Sequence, residues 1–239
     1  MEEITKSRER LTPKFLLLRA LADRIIAEKK NDAPYLIGVD GVTGAGKTTF
    51  AEGLAAILAE RGKQVVTIHV DDFLNPKSVR YGGDERTDFY NRSFNIKRLH
   101  EILRKIRSKG EMHETFTFLN AQTDTMDVER TYDITPDTCV IVEGMFVQRE
   151  ILRDYFDLKL YIDTATDEAK QRAHERNAAG PNDREQWSPG ELDRKYEEKL
   201  LPGFARYEKA SNPLGESTIL IDNTDLEHPR VLASVSRRV

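Results

Sequence analysis

The chain has 239 residues, 38% hydrophobic and 33% charged, with a formal net charge of -4 and one cysteine. That composition supports a sizeable core, while the acidic balance argues against nucleic acid as the main partner. One cysteine excludes a disulfide framework, and with no membrane-length apolar run and an acidic start at Met1-Glu2-Glu3-Ile4, a soluble cytoplasmic protein with no membrane contact is expected.

Thr12-Pro13 reads as an N-cap followed by proline in the first helical turn. Phe15, Leu18, Leu21, Ile25 and Ile26 continue at helical spacing, giving a leading helix over 12–30, expected on the edge of the core. Tyr35-Leu36-Ile37-Gly38-Val39 is an apolar run of the kind that forms a buried strand. Gly41-Val42-Thr43-Gly44-Ala45-Gly46-Lys47-Thr48 then fits G-x-x-x-x-G-K-[ST] at every fixed position. Phe50, Leu54, Ile57 and Leu58 open a helix directly after it. Glycines let backbone N–H groups approach phosphate oxygens, and the helix start adds partial positive charge. Lys47 is expected to reach the β- and γ-phosphates, the Thr48 hydroxyl to sit on Mg²⁺, and Thr49 to complete the nucleotide-binding set. A nucleoside triphosphate with Mg²⁺ is therefore the implied ligand.

The helix stops near Gly62, and Gln64–Val70 is a second strand that delivers Asp71-Asp72-Phe73 at its carboxyl end. Open α/β sheets place their ligands there. Side chains alternate along an extended chain, so one of Asp71 and Asp72 is expected to face the cleft. It would accept the proton of a substrate hydroxyl or hold a metal-bound water. A long polar loop, about 74–93, follows and carries Arg80, Tyr81, Asp84, Arg86 and Asp88. Long loops in compact domains are usually functional. Arg80, Tyr81 and Asp88, with Asp72, are the candidate substrate-binding residues.

Ile96, Leu99, Ile102, Leu103 and Ile106 form an amphipathic helix that ends at Gly110. Thr115–Phe118 and Val128–Tyr132 suggest a hairpin across the polar turn Asn120 to Asp127. Thr138–Val142 is a third buried strand, with Cys139 as a small core residue, and it ends in Glu143-Gly144. Glu143 thereby stands beside the phosphate loop as a metal-side acid. A helix over Gln148–Tyr155, a strand over Leu158–Asp163 and a helix opened by Thr164 and Asp167 come next. That last helix runs to Asn177 and presents Arg172 and Arg176 on one face. Ala178–Trp187, with Arg184, is a polar break that ends in the capping box Ser188-Pro189-Gly190-Glu191. A helix to Ala210, a strand over Ser217–Ile221 and a short helix near Pro229 to Val235 close the chain. The alternation predicts an α/β fold: a parallel sheet covered by helices on both faces. One domain over 1–239, with a small lid at about 172–190, is expected. Closing over the triphosphate, the lid arginines would exclude water and neutralise developing charge.

From about Tyr35 to Asp222 the order of parts resembles the uridine kinase/phosphoribulokinase group of P-loop kinases. The phosphate loop matches, and His69-Val70-Asp71-Asp72-Phe73 stands where that family has D-S-F-Y. Val142-Glu143-Gly144 matches its E-G, and Tyr161-Ile162-Asp163-Thr164 with Arg172 and Arg176 looks like its lid entry. The resemblance implies the P-loop nucleoside triphosphate hydrolase fold, Asp71 as general base, Glu143 assisting Mg²⁺, and the two arginines holding phosphates. Where uridine-acting members carry an aromatic stretch and a histidine that grip the base, this chain reads Phe118-Leu119-Asn120-Ala121-Gln122-Thr123. The lid motif also ends Arg176-Asn177 instead of arginine-aspartate. These stretches, with Gly144–Arg149, look closer to a bacterial uridine kinase-like branch. The expected activity is transfer of the ATP γ-phosphoryl to a hydroxyl of a small molecule: a nucleoside, a pantothenate-like compound or a sugar derivative. A P-loop hydrolase lacks support, since no N-K-x-D, D-x-x-G or ABC signature occurs, and a regulatory nucleotide-binding protein without acceptor is the second alternative. A homo-oligomer is allowed.

Overall fold

Every residue of Tyr35–Asp40 is buried, as an apolar strand with parallel neighbours on both sides must be. The computed structural model describes residues 12–30, 32–82, 85–179 and 187–234, with the backbone alone at 85–88. In chain order the elements are α1 (Pro13–Glu28), β1 (Tyr35–Asp40), α2 (Lys47–Glu60), β2 (Val65–His69), a 3₁₀ turn (Val70–Phe73), α3 (Lys77–Arg80) and α4 (Glu85–Arg92). Then come α5 (Ile96–Lys109), β3 (Met112–Asn120), β4 (Thr125–Ile134), β5 (Cys139–Glu143), α6 (Glu150–Arg153) and β6 (Leu158–Asp163). The last are α7 (Thr166–Ala178), α8 (Pro189–Lys195), a π-helical turn (Tyr196–Leu200), α9 (Leu201–Ser211), α10 (Pro213–Glu216), β7 (Ile219–Asp222) and β8 (Arg230–Ser234).

Six strands form one sheet in the order β2-β5-β1-β6-β7-β8, while β3 and β4 pair separately as an antiparallel hairpin. The first five strands of the sheet run parallel and β8 runs antiparallel on the β7 edge. Alternation along each strand sends neighbouring residues to opposite faces. Leu36, Ile68, Val140 and Val142 meet α5 and the hairpin residues Phe118, Tyr132 and Ile134 on one face. Ile37, Val39, Ile141 and Leu160 meet Phe50 and Leu54 of α2 and Leu21 and Ile25 of α1 on the other. Each fully buried aliphatic side chain contributes roughly 1.5–3 kcal/mol, so the two layers hold the sheet rigid beneath the loops. Gly38 sits under Phe156: a Cβ there would lie 3.0 Å from the ring.

Several expectations from the sequence change. The sheet is mixed, because Pro229 opens an edge strand, β8, where a helix is expected over Pro229 to Val235. Its residues are exposed, so a half-polar strand zipped to β7 by backbone bonds replaces a helix that had no apolar stripe to bury. The loop at 74–93 contains α3 and α4, and the helix expected over Gln148–Tyr155 shrinks to the single turn of α6. Gln148 explains the second: its N–H donates to Asp40, and its side-chain amide donates to Leu160 O and Ser217 Oγ. That side chain is fixed below the sheet end before the helix can start. α1 covers α2 on a sheet face instead of an edge. Thr164 does not cap α7; Ala165 holds that position, and the Thr164 hydroxyl donates to Asp163 O. The hairpin, the Ser188–Glu191 capping box and buried Cys139 are as expected. Among the described residues no helix is long and apolar enough to cross a membrane.

Candidate functional site

The site lies at the carboxyl ends of the parallel strands, where β1 runs into the glycine-rich loop. Gly41, Gly44 and Gly46 have φ of 149°, 85° and 87°, a region that side-chain-bearing residues avoid. Packing enforces the same choice, since a Cβ on Gly44 would lie 1.9 Å from Ala169 O and one on Gly41 2.4 Å from Ile162 O. The loop's carbonyls are held by side chains around it. Thr43 O accepts from the Tyr196 hydroxyl at 3.2 Å, and Ala45 O from Asn223 Nδ2 at 2.7 Å and Thr164 Oγ1 at 3.3 Å. α2 starts on Gly46 with no side-chain cap, so its first N–H groups are left for an anion. Lys47 is the first residue of that helix, 8% exposed, and its Nζ donates to Val42 O at 2.7 Å. Burial pushes the Lys47 ammonium below its ordinary pKa, against the opposing pull of Glu143, Asp71 and Asp40.

Thr48 and Glu143 meet as expected. Thr48 Oγ1 lies 3.2 and 3.3 Å from the two Glu143 carboxylate oxygens. His69 Nδ1 lies 2.6 Å from Glu143 Oε1. Burial raises the Glu143 pKa, but the His69 hydrogen bond and the Lys47 charge reverse this and hold it below the ordinary value. The same bond raises His69. A hydroxyl and a carboxylate are hard oxygen donors of the kind Mg²⁺ takes. Among the described residues no group of three or more His, Cys, Asp or Glu could hold a metal alone. A cation here fits only with phosphate oxygens and water completing its shell, which is how Mg²⁺ sits beside nucleotides.

Asp71 and Asp72 both line the cleft, where one was expected. The cause is local: β2 ends at His69 and the 3₁₀ turn breaks the alternation of an extended strand. Asp71 is exposed to the cleft. Asp72 lies 3.4 Å from Arg130 Nε of β4, and burial raises its pKa against the pull of that arginine. The cleft encloses about 1080 Å³, and the phosphate loop, Arg172 and Arg176 line it. Its walls include Arg80, Tyr81, Phe89, Leu119, Asn120 and Met145.

Arg80 is a strut as much as a cleft wall. Its Nε donates to Asn75 O at 2.7 Å, and its guanidinium carbon stands 5.2 Å from the Tyr81 ring centre. Asp124, at the hairpin tip, accepts from Lys77 N at 2.9 Å and so ties the hairpin to α3. Lys199 Nζ lies 4.6 Å from the other partner of this cluster, the Tyr81 ring. Arg172 donates from Nη1 to Asn223 O at 3.0 Å and from Nη2 to Thr224 O, which fastens α7 to the loop after β7. Arg176 lines the cleft close enough to Lys47 to oppose its charge. Arg184 and Asp84 lie outside the described residues, as do the side chains of Arg86 and Asp88. Sequence reasoning missed Arg130, placed by the hairpin, Asn223, placed by the turn after β7, and Lys199, carried by the π-helical turn; His69 it quoted without a role.

Comparison with known proteins gives the family and the fold. The family model of phosphoribulokinase/uridine kinase matches residues 36–176. A uridine kinase of Borrelia hermsii is 31% identical over 140 residues, covering 55% of this chain and 62% of that protein. A pantothenate kinase of Psychromonas ingrahamii is 26% identical over 158 residues, covering 60% of this chain and 49% of that one. The match therefore spans 62% and 49% of the lengths of these two relatives. A structure described as a possible uridine kinase from Bacillus stearothermophilus superposes with a TM-score of 0.66 at 23% identity, over 90% of this chain and 98% of that one. The D-glycerate 3-kinase of Cryptococcus neoformans shares the fold at a TM-score of 0.61 and 11% identity, over 92% and 96% of the two chains.

Proposed function

The chain belongs to the phosphoribulokinase/uridine kinase family, and from that premise we propose that it is a small-molecule kinase, one P-loop domain that moves the γ-phosphoryl group of ATP to a hydroxyl. The observation that carries this is the pairing of Thr48 with Glu143 directly beside a cleft that also holds Asp71. Triphosphate binding, a metal position and a base are the parts phosphoryl transfer needs, and Lys47, Thr48 and Asp71 line one cavity.

The backbone of 41–49 and the start of α2 cradle the phosphates, and Lys47 leaves Val42 O for their oxygens. Thr48 and Glu143 would hold magnesium there, and its charge would offset that of the phosphate oxygens. Asp71 accepts the proton of the acceptor hydroxyl. Asp72, Arg80 and Tyr81 orient the acceptor, with Asp88 on α4 assigned there from its sequence position. Arg176 reaches equatorial phosphoryl oxygens, and Arg172 steadies the nucleotide end through the 223–224 loop. The relatives act by name on uridine, pantothenate and glycerate; the Leu119–Gln122 wall offers no aromatic ring, and the rings in the cleft wall, Tyr81 and Phe89 among them, come from other elements. The deciding experiment is ADP formation with Mg²⁺ against a panel of nucleosides, hydroxy acids and sugars. ADP made only with one acceptor supports a kinase and names its substrate. Equal ADP formation without acceptor contradicts it and favours a hydrolase.

A further inference from the structure

The roles assigned above leave His69 unused. It ends β2 level with Glu143 of β5 in parallel register, so the two side chains leave the sheet side by side on one face. Gly144 makes the approach close. Its φ is 152°, and a Cβ there would lie 2.5 Å from the Cβ of Val70, so only glycine lets the two strand ends press together. Nδ1 of His69 stands 2.6 Å from Glu143 Oε1. A carboxylate only accepts, so that ring nitrogen is assigned the proton. The side chain of Glu143 is 5% exposed, that of His69 38%. The carboxylate is thus gripped from two sides, by the imidazole on one and the Thr48 hydroxyl on the other.

We infer that His69 is a positioning residue: it fixes the Glu143 carboxylate towards Thr48 and so sets the affinity for the divalent cation that accompanies the nucleotide. This rests on the reading of Thr48 and Glu143 as the metal end of the site. Without the imidazole, Glu143 Oε1 loses its closer partner and keeps only Thr48 Oγ1 at 3.2 Å, so one restraint on the carboxylate's rotation is gone. Partners that orient a metal-ligating group change metal affinity by roughly 10–100-fold. His69 touches neither phosphate nor acceptor in this account and acts only through Glu143.

Titration calorimetry of ATP binding, without acceptor and across a series of Mg²⁺ concentrations, tests this on the full chain. His69→Ala is expected to raise the Mg²⁺ needed for half-maximal enhancement of ATP affinity by about tenfold or more. Its affinity for ATP in EDTA stays within about twofold of the wild type, because the phosphate loop is untouched. His69→Asn, whose amide can donate from nearly the same point, recovers most of the loss. In a Glu143→Gln background the His69→Ala change adds little, as residues acting through one group are not additive. Identical Mg²⁺ dependence in wild type and His69→Ala overturns the inference, as does a loss of affinity that is equal with and without metal. A wild type whose ATP affinity ignores Mg²⁺ overturns the metal reading itself, and this with it. Either result is distinguishable from a chain that binds no ATP at all, which overturns the proposed function.

Discussion

The Tyr207 hydroxyl donates to Oδ2 of Asp40, and the Gln148 N–H reaches both, at 2.9 Å from Asp40 Oδ2 and 3.0 Å from the Tyr207 oxygen. Asp40 is fully buried and also accepts from Gly41 N at 2.7 Å. One carboxylate therefore joins the start of the phosphate loop, the chain after Glu143-Gly144 and α9. Burial raises the Asp40 pKa, while these bonds pull it down only in part. The proton is held more tightly in the folded state, so the cost of burying Asp40 is absent at low pH. It grows as pH rises from the ordinary value of 3.8 towards the raised one. Tyr207→Phe removes a donor and should destabilise the fold by about 1–3 kcal/mol. The deficit is expected to be larger at neutral pH than near pH 3.8. Denaturant unfolding at the two pH values checks it; a pH-independent deficit contradicts the account.

Lys47→Ala is expected to lower turnover by at least 10²–10³-fold, roughly what one lost charge-stabilising group costs in the transition state. Because Lys47 is buried and its charge is opposed by desolvation, the variant should fold at least as stably as the wild type. Steady-state ADP release and a thermal melt measure the two sides; wild-type turnover sinks the assignment.

Asp71 and Asp72 can be told apart kinetically. Asp71→Asn should cut kcat by roughly 10²–10⁴-fold while ATP binding is kept. Asp72 is engaged with Arg130, so Asp72→Asn should act mainly on the acceptor KM. If the two variants exchange behaviours, the base is Asp72.

Gly44→Ala puts a methyl 1.9 Å from Ala169 O at a φ of 85°. Backbone must move on both sides of the contact, so ATP affinity is expected to fall and stability to drop by about 1–3 kcal/mol. Gly190→Ala, with open space around it, is the control and should change neither.

Cys139 is 0% exposed in the middle of the sheet, and burial pushes its thiol up to about 11. The thiolate is the reactive form. Labelling with a thiol reagent at pH 8 should be slow on the native chain and complete in denaturant; fast native labelling would place Cys139 outside the core.

The phosphate loop was legible because its parts are contiguous: strand, glycines, Lys47, Thr48 and helix follow one another without a gap. Glu143 was legible too, since an apolar run of four ends on it. What the sequence hid depends on register and on distant packing. Tyr207 and Asp40 stand 167 positions apart, and no local pattern pairs them. α4 lacks an apolar period, and it forms because Phe89 and Tyr90 pack edge-to-face on Phe146, an aromatic contact set by the loop after Glu143. The arginine pair of α7 looked like a phosphate clamp from its place beside the polar break and from the family resemblance. Whether a carbonyl waits beside Arg172 depends on the turn after β7, which its own helix does not encode.

Transfer of phosphoryl to an organic hydroxyl can be followed with ATP carrying ³²P at the γ position. With the acceptor found in the panel, label should appear in an organic phosphate ester, and Asp71→Asn should abolish that signal while still binding ATP. Label that emerges as inorganic phosphate at the same rate with and without acceptor would contradict the account.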